Sequence, residues 1–487
     1  MSRKRPKSRR ITTTPIPRPQ ASYDAVQDKK KRTAPRSVTK SEDKQLTVSE
    51  RRKLVATARD QMRNFAVVAW MVRKHLDYVT RFTFQAKTED RDFNKELEAW
   101  HADISRASRF DATGRFDMAA FDRLLETCAV VEGDAFEVSL RSGLVQGIEA
   151  DRVFKPRDLP ADWRTPPEGY EWTHGILLGP SKRPRYYCVC KRADSRLLFE
   201  RMVPAWNVRQ LGYFTRFDQW RGVSPLSASI NAMQDLYEAF DYNLIKAKLH
   251  ALFGLAVMKK EAEGAGGAPF SAPEESPAEG EESGSPTLSD QMASFKPGVA
   301  ALLELGEGET VDLLESSSPS TEFTEYGDLT IHIALLALDI PKIFYDALQG
   351  SYSVHRTVAI QYEKSCVPKR QRLCTLKNAR LAWRMGLAIN AGELALPAGM
   401  AAEDVRWEYI AAGTPWIDPL KEVKADVEAV AGGLKSRTMI CKERGYEFED
   451  VVDDLAREQA YAETAGVTLG SWTADAEVDS KRIDDDE

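Results

Sequence analysis

The run SPLSASINAMQDLYEAFDYNLIKAKLHAL, from Ser224 to Leu252, decides how this chain is read. Leu226, Ile230, Met233, Tyr237, Phe240, Leu244, Ala247 and Ala251 recur at alternating gaps of four and three. That is a heptad seam sustained over nearly four repeats. Pro225 suits the first helical turn, and Ser224 suits the cap before it. A helix from Pro225 to about Leu252 would span about 40 Å at 1.5 Å per residue. A stripe so narrow on a helix so long needs a neighbouring helix, from the same chain or from another copy.

Upstream, residues 52–76 read as one helix with Leu54, Ala58, Met62, Phe65, Ala69, Val72 and Leu76 on a single stripe. A second helix is predicted over Asp117–Val131. Residues 134–220 change texture: Phe136, Val138 and Leu140 alternate with polar residues, and Tyr186 to Cys190 is rich in strand formers. Cys188 and Cys190, two apart, share a strand face and read as buried structural cysteines.

Downstream, residues 259–298 break the pattern: Gly, Pro and Ser supply 17 of these 40, with eight acids and three lysines. That composition predicts a flexible acidic insertion. The Leu305 to Val311 run suggests a turn between two short strands. Glu322–Asp339 reads as a helix striped by Phe323, Tyr326, Leu329, Ile333, Leu336 and Ile340, with Pro341 at its end. A long helix is predicted from about Val354 to Ile389, kinked at Pro368. A strand follows at Val405, Trp407 and Tyr409. Three short helices close the chain: Pro419–Ala431, Ser436–Arg444 and Phe448–Thr464. The whole is a mixed α+β protein.

Net charge is −6 over 487 residues, but it is polarised. Residues 1–53 carry 17 Lys/Arg against 5 Asp/Glu, and residues 471–487 carry 2 against 7. The body between them is therefore −13. The basic arm, with Arg3, Lys4, Arg5, Lys7, Arg9 and Arg10 and a second cluster from Lys29 to Arg32, lacks apolar periodicity and is expected to be disordered. It reads either as a phosphate-contacting arm or as a solvated tail, and a transit peptide has the same composition. The longest apolar runs, such as Phe65–Val72, are too short to cross a membrane. Six cysteines without a C-x-x-C exclude a disulfide scaffold and argue against a zinc finger.

Motifs for catalysis are missing. There is no P-loop, no G-x-S-x-G elbow, no H-E-x-x-H and no EF-hand loop. Gly264, Gly266 and Gly267 lie in low complexity, and the six histidines never pair at ligand spacing. Glu447, Glu449, Asp450, Asp453 and Asp454 read as the solvated face of a helix. The chain is expected to have no catalytic residue, no metal and no cofactor.

Several segments, taken in order, resemble the lambda-type portal proteins of tailed phages. Arg59-Asp60 with Arg63-Asn64 resembles that family's R-D-x-x-R-N signature, and Tyr23-Asp24-Ala25 its short tyrosine motif. Trp220 to Leu226 is similar to the Q-x-R-G-x-x-x-L lead into the family's long helix. Leu338-Asp339-Ile340-Pro341, then Tyr352-Ser353 and Arg356, resembles its G-I-P … N-Y-S-S-x-R segment. Ile417-Asp-Pro-x-Lys-Glu422 and Gly445-x-x-x-Glu-Asp450 are similar to its C-terminal signature. Asp339 stands where Gly is usual, Ser351 where Asn is, and Val354 in place of the second Ser. The insertion at 259–298 has no clear counterpart.

The resemblance implies a non-enzymatic ring, usually of twelve subunits, at a unique capsid vertex of the virion, assembled in the host cytoplasm. Double-stranded DNA would pass through its central channel during packaging and ejection. Residues 1–53 would be the arm, 54–220 and 391–418 the wing, 221–252 and 321–340 the two stem helices, and 253–320 the clip. Residues 341–356 would be the tunnel loop, 354–390 the long kinked helix, 419–470 the crown and 471–487 an acidic tail. Implied partners are other copies of the chain, DNA, the large terminase, the major capsid protein and scaffold, and head–tail connector proteins; a membrane is not among them. Candidate DNA contacts in the tunnel loop are Lys342, Gln349, Ser351, Tyr352, Ser353, His355 and Arg356. Candidate docking positions in the clip are Leu255, Val257, Lys259, Leu305, Glu307 and Glu309. Leu226, Ile230, Met233, Tyr237, Phe240 and Leu244 would pack the stem. The alternative function is an oligomeric nucleic-acid binder acting through the basic arm.

Overall fold

The computed structural model describes residues 41–194, 196–252, 255–259, 309–313, 321–346, 351–413 and 419–467. The basic arm, nearly all of the acidic insertion and the acidic tail lie outside the described residues.

The sequence predicts one helix over 52–76, but two form, Val48–Asn64 and Ala66–Val79. Thr47 and Glu50 build a reciprocal capping box that starts the first. The break falls at Phe65, whose backbone is extended (φ −106°, ψ 107°). Tyr237 satisfies the interrupted ladder: its hydroxyl accepts from the Ala66 amide at 3.0 Å and donates to the Asn64 carbonyl at 3.3 Å. Its ring stacks on Phe65 at 3.7 Å. No local signal marks the break, because the partner sits 171 residues away.

Helix Met118–Glu132 starts where Asp117 caps the Ala120 amide. It packs on a three-stranded antiparallel sheet with Asp134–Ser139 at the centre, flanked by Val145–Glu149 and Val208–Gly212. The central strand does not alternate buried and exposed as its sequence suggests: all six residues are buried. Its polar side chains point at arginines instead of water. A second antiparallel sheet runs Glu171–Thr173, Ile176–Leu178, Pro184–Ala193 and Arg196–Pro204, with Cys188 and Cys190 buried and free as expected.

The seam helix also begins later than its sequence suggests. Ser224 accepts from the Leu226 amide at 3.1 Å, but Pro225–Ala228 is a single 3-10 turn and the α-helix proper is Ile230–Leu252. Strands Leu255–Lys259 and Glu309–Leu313 then pair antiparallel across the insertion, with Val257 opposite Val311. Helix Thr321–Leu336 follows. Asp339 has φ +60°, a left-handed conformation that explains why Gly is the usual residue there and why a short polar side chain can replace it. Lys369 holds it in place, bonding the Leu338 carbonyl and the Asp339 carboxylate at 2.8 Å each.

The long helix is Tyr352–Ala391, with Pro368 inside it. It therefore takes over the last part of the segment read as a loop: Tyr352, Ser353, His355 and Arg356 lie in its first turns. Gly392 closes it with φ +71°. Strand Trp407–Ala411 pairs with Phe82–Ala86, so Tyr409 meets Phe84 from across the chain. Helices Pro419–Ala431, Arg437–Glu443 and Phe448–Ala465 come last. Glu447 is not on a solvated face: it is buried and paired with Lys87 at 2.6 Å.

Candidate functional site

Two kinds of surface stand out: a buried ionic girdle that fixes the body, and apolar helix faces left open. The girdle explains the residues of the Trp220–Leu226 run. Arg221 is fully buried, and all five of its N–H donors are used. Two go to Asp134 at 2.7 and 2.9 Å, and three to the carbonyls of Ala150, Val153 and His174. Burial alone would raise the Asp134 carboxyl; the Arg221 guanidinium instead holds it below the ordinary range. A Cβ on Gly222 would come within 2.0 Å of the Gly133 carbonyl, so only glycine permits this approach.

Arg59, from the R-D-x-x-R-N stretch, does similar work. Its Nη2 reaches Glu132 at 2.7 Å, Glu149 at 2.8 Å and Asp151 at 3.0 Å. These three acids are close enough together to hold a metal ion, but the guanidinium occupies the centre that a cation would need. Asn64 donates to Asp60 at 2.8 Å beside the helix break. The signature is thus a scaffold for the turn and for Tyr237, not a reaction centre.

The long helix is bolted to the sheet by the same chemistry. Arg372 binds Glu126 at 2.6 and 2.8 Å, where His75 and Tyr213 also bond at 2.9 Å. Lys377 and Arg380 meet at Asp122, and Arg380 continues to Glu137 at 2.7 Å. Sequence reasoning missed these acids, since each partner lies 240 or more residues away. A signal did exist: basic residues gather along one long helix that has too few acids of its own.

The helix pair Ile230–Leu252 and Thr321–Leu336 behaves differently. Leu226, Ile230 and Met233 are buried in the largest apolar cluster, as the seam predicts, with Leu236 added. Farther along, Phe240, Leu244 and Ile245 are exposed, Leu244 by 52%. The two helices meet at Phe240 and Phe323, ring edge to face at 5.3 Å. On Thr321–Leu336 the middle of the predicted stripe faces outward: Tyr326, Leu329, Ile333 and Leu336 are exposed, Leu336 by 60%, whereas Ile340, beyond the helix, is fully buried. Gly327, Thr330, Ile331, Ala334 and Leu335 pack inward instead. This helix is apolar on two faces, and the described residues cover one.

The tunnel-loop candidates scatter. Lys342 is not free, since it pairs with Asp328 at 3.1 Å. Gln349 lies outside the described residues. Ser351 stands at the N-cap position of the long helix without a side-chain cap bond and is exposed, as is Ser353, while His355 and Arg356 are half-buried. Arg356 lines an open cleft of about 570 Å³ with Glu363, Glu408 and Glu422. Among the clip candidates, Leu255, Val257 and Lys259 pair by backbone with Leu313, Val311 and Glu309. Leu305 and Glu307 lie outside the described residues. No helix among the described residues is long and apolar enough to cross a membrane.

Comparison with known proteins adds the following. The family profile for phage portal protein, lambda family, matches residues 29–367, more than half of the chain. Among solved structures, a chain of the "Neck of empty GTA particle computed with C6 symmetry" is similar at 16% identity and a TM-score of 0.47, covering 80% of this chain and 93% of that one. A chain of the "Virion of native gene transfer agent (GTA) particle" is similar at 15% identity and a TM-score of 0.45, covering 82% and 99%. No curated protein matches.

Proposed function

The chain belongs to the lambda family of phage portal proteins, and we propose that its copies close into a ring around a channel for double-stranded DNA. As a portal protein it is a non-enzymatic component of the virion. The rival reading, a nucleic-acid binder acting through its arm alone, gives way to this family membership.

The observation that carries the ring is the pair of open apolar faces on Ile230–Leu252 and Thr321–Leu336. Burying a half-exposed Leu, Ile or Phe contributes roughly 1–2 kcal/mol. Helices side by side around an axis would cover each such face with the next copy, a head-to-tail contact that closes on itself. On this reading the two helices are the stem, strands Leu255–Lys259 and Glu309–Leu313 belong to the clip, and residues 419–467 form the crown. The body charge of −13 suits a channel that repels phosphate and lets DNA slide. Terminase would supply the force and dock at the clip, followed by connector proteins; capsid protein and scaffold would be further partners.

Negative-stain microscopy and light scattering of the purified chain test this reading. The expected particle is a ring of about twelve times the 54.6 kDa chain mass. A monomer under every condition, virion extracts included, would overturn it.

A further inference from the structure

Between Lys369 and Arg384 the long helix carries six basic residues. Five have acid partners: Lys369 with Asp339, Arg370 with Glu363, Arg372 with Glu126, Lys377 with Asp122, and Arg380 with Asp122 and Glu137. Arg384 is the sixth. Among the described residues it makes no ion pair, and its Nε is sealed from solvent without a hydrogen-bond partner. Its Nη donors are not sealed in this way, and a guanidinium without a carboxylate partner can offer them to an anion from outside the chain.

Arg384 lines an open cleft of about 520 Å³. The opposite wall is the tip of the hairpin between Asp134–Ser139 and Val145–Glu149, with Arg141, Ser142 and Gly143. The tip is a tight turn: the Gly143 amide bonds the Leu140 carbonyl, and the Leu140 amide bonds the Leu144 carbonyl, both at 2.9 Å. Gly143 has φ +83°, and a Cβ there would fall 1.6 Å from Arg384 Nη1. Glycine therefore lets the turn lie directly on the guanidinium and hold it in position. Arg141 is exposed and makes no ion pair among the described residues. Arg109 also lines the cleft, but Asp103 and Glu393 already neutralise it. Two uncompensated guanidiniums, on two separate walls, thus face one space.

We propose that this cleft binds a phosphate group, taken between Arg141 and Arg384 with the Ser142 hydroxyl beside them. A single carboxylate is small for such a space, whereas a tetrahedral oxyanion offers oxygens to both forks at once. The phosphate comes from a nucleic-acid backbone or from the free ion, and the test separates the two. The nucleic-acid source rests on the portal reading; the site itself does not. It lies between the long helix and the wing hairpin, away from the segment 341–356, so it adds a contact that a channel alone does not provide.

The test uses the full chain and the variants R141A, R384Q, R384K and R141A/R384Q. Arg141 sits at an exposed hairpin tip, so R141A leaves the fold undisturbed. Inorganic phosphate at roughly 10 mM, against chloride at equal ionic strength, should raise the melting temperature of the wild type by a few degrees. The shift should vanish in R141A and R384Q and survive in part in R384K. A short labelled DNA duplex should bind the double variant about tenfold more weakly, with a salt slope shallower by about one to two. A phosphate shift that is lost in the variants while duplex binding is unchanged assigns the site to free phosphate. No phosphate shift in the wild type, or an equal shift in every variant, would overturn the proposal. Microscopy of the same samples keeps the two readings apart: rings without a phosphate response sink this site alone, and a phosphate response without rings sinks the ring alone.

Discussion

The long helix Tyr352–Ala391 finds acid partners within its own chain for five of its six basic residues after Pro368, whereas helices Ile230–Leu252 and Thr321–Leu336 each have an apolar face that the described residues leave uncovered. The two regions solve different problems. Buried charges must be matched one to one, with hydrogen-bond geometry, so the pairing is completed as each chain folds. An apolar face needs only area, which an identical neighbour can supply. The girdle therefore defines the subunit, and the open faces define the assembly.

The sharpest way to break this contrast is at Arg380. Replacing it with Ala leaves Asp122 with Lys377 alone and Glu137 with Arg209 alone, both acids fully buried, and should destabilise the chain by about 3 kcal/mol in denaturant unfolding. A loss below 1 kcal/mol would mean that the girdle is incidental.

A smaller effect comes from buried histidines. Burial, then the Lys377 charge, pushes His101 down to about 3, and burial also lowers His75 and His174. Below about pH 6.5 the unfolded chain binds protons that the folded chain refuses, so stability falls as pH drops from 6.5 toward 4. His101 contributes a slope of about 1.4 kcal/mol per pH unit over this range, and His75 and His174 act in the same direction. H101F keeps the stack on Phe84, now at 3.9 Å, and should remove one such slope. Unfolding curves at several pH values check this, and an unchanged slope would refute it.

The smallest effect on the subunit should accompany the largest on assembly. L329E/I333E alters two side chains that are already exposed and should change unfolding free energy by no more than about 0.5 kcal/mol. The same variant should yield no rings in microscopy or light scattering. Rings at wild-type yield would show that this face is not between copies.

Much of the fold was legible locally. The seam from Leu226 to Met233, the helix that follows Asp117, the long helix and the closing helices follow from periodicity and glycine stops. What was not legible depended on distant partners. The break at Phe65 needs Tyr237, the full burial of Asp134–Ser139 needs Arg221, Arg209 and Arg380, and the burial of Glu447 needs Lys87. Among the tunnel-loop candidates, Lys342 carried a readable charge but not a readable partner, Asp328.

By itself the sequence determined the apolar stripes, the family signatures and the polarity of charge, because these depend on residue type and spacing alone. Only the tertiary structure decided which stripe turns inward, which cations find no acid partner among the described residues and why Gly222 must be glycine. Each of those is a question of what lies within a few ångströms in space, and backbone neighbours many tens of residues apart do not announce themselves along the chain.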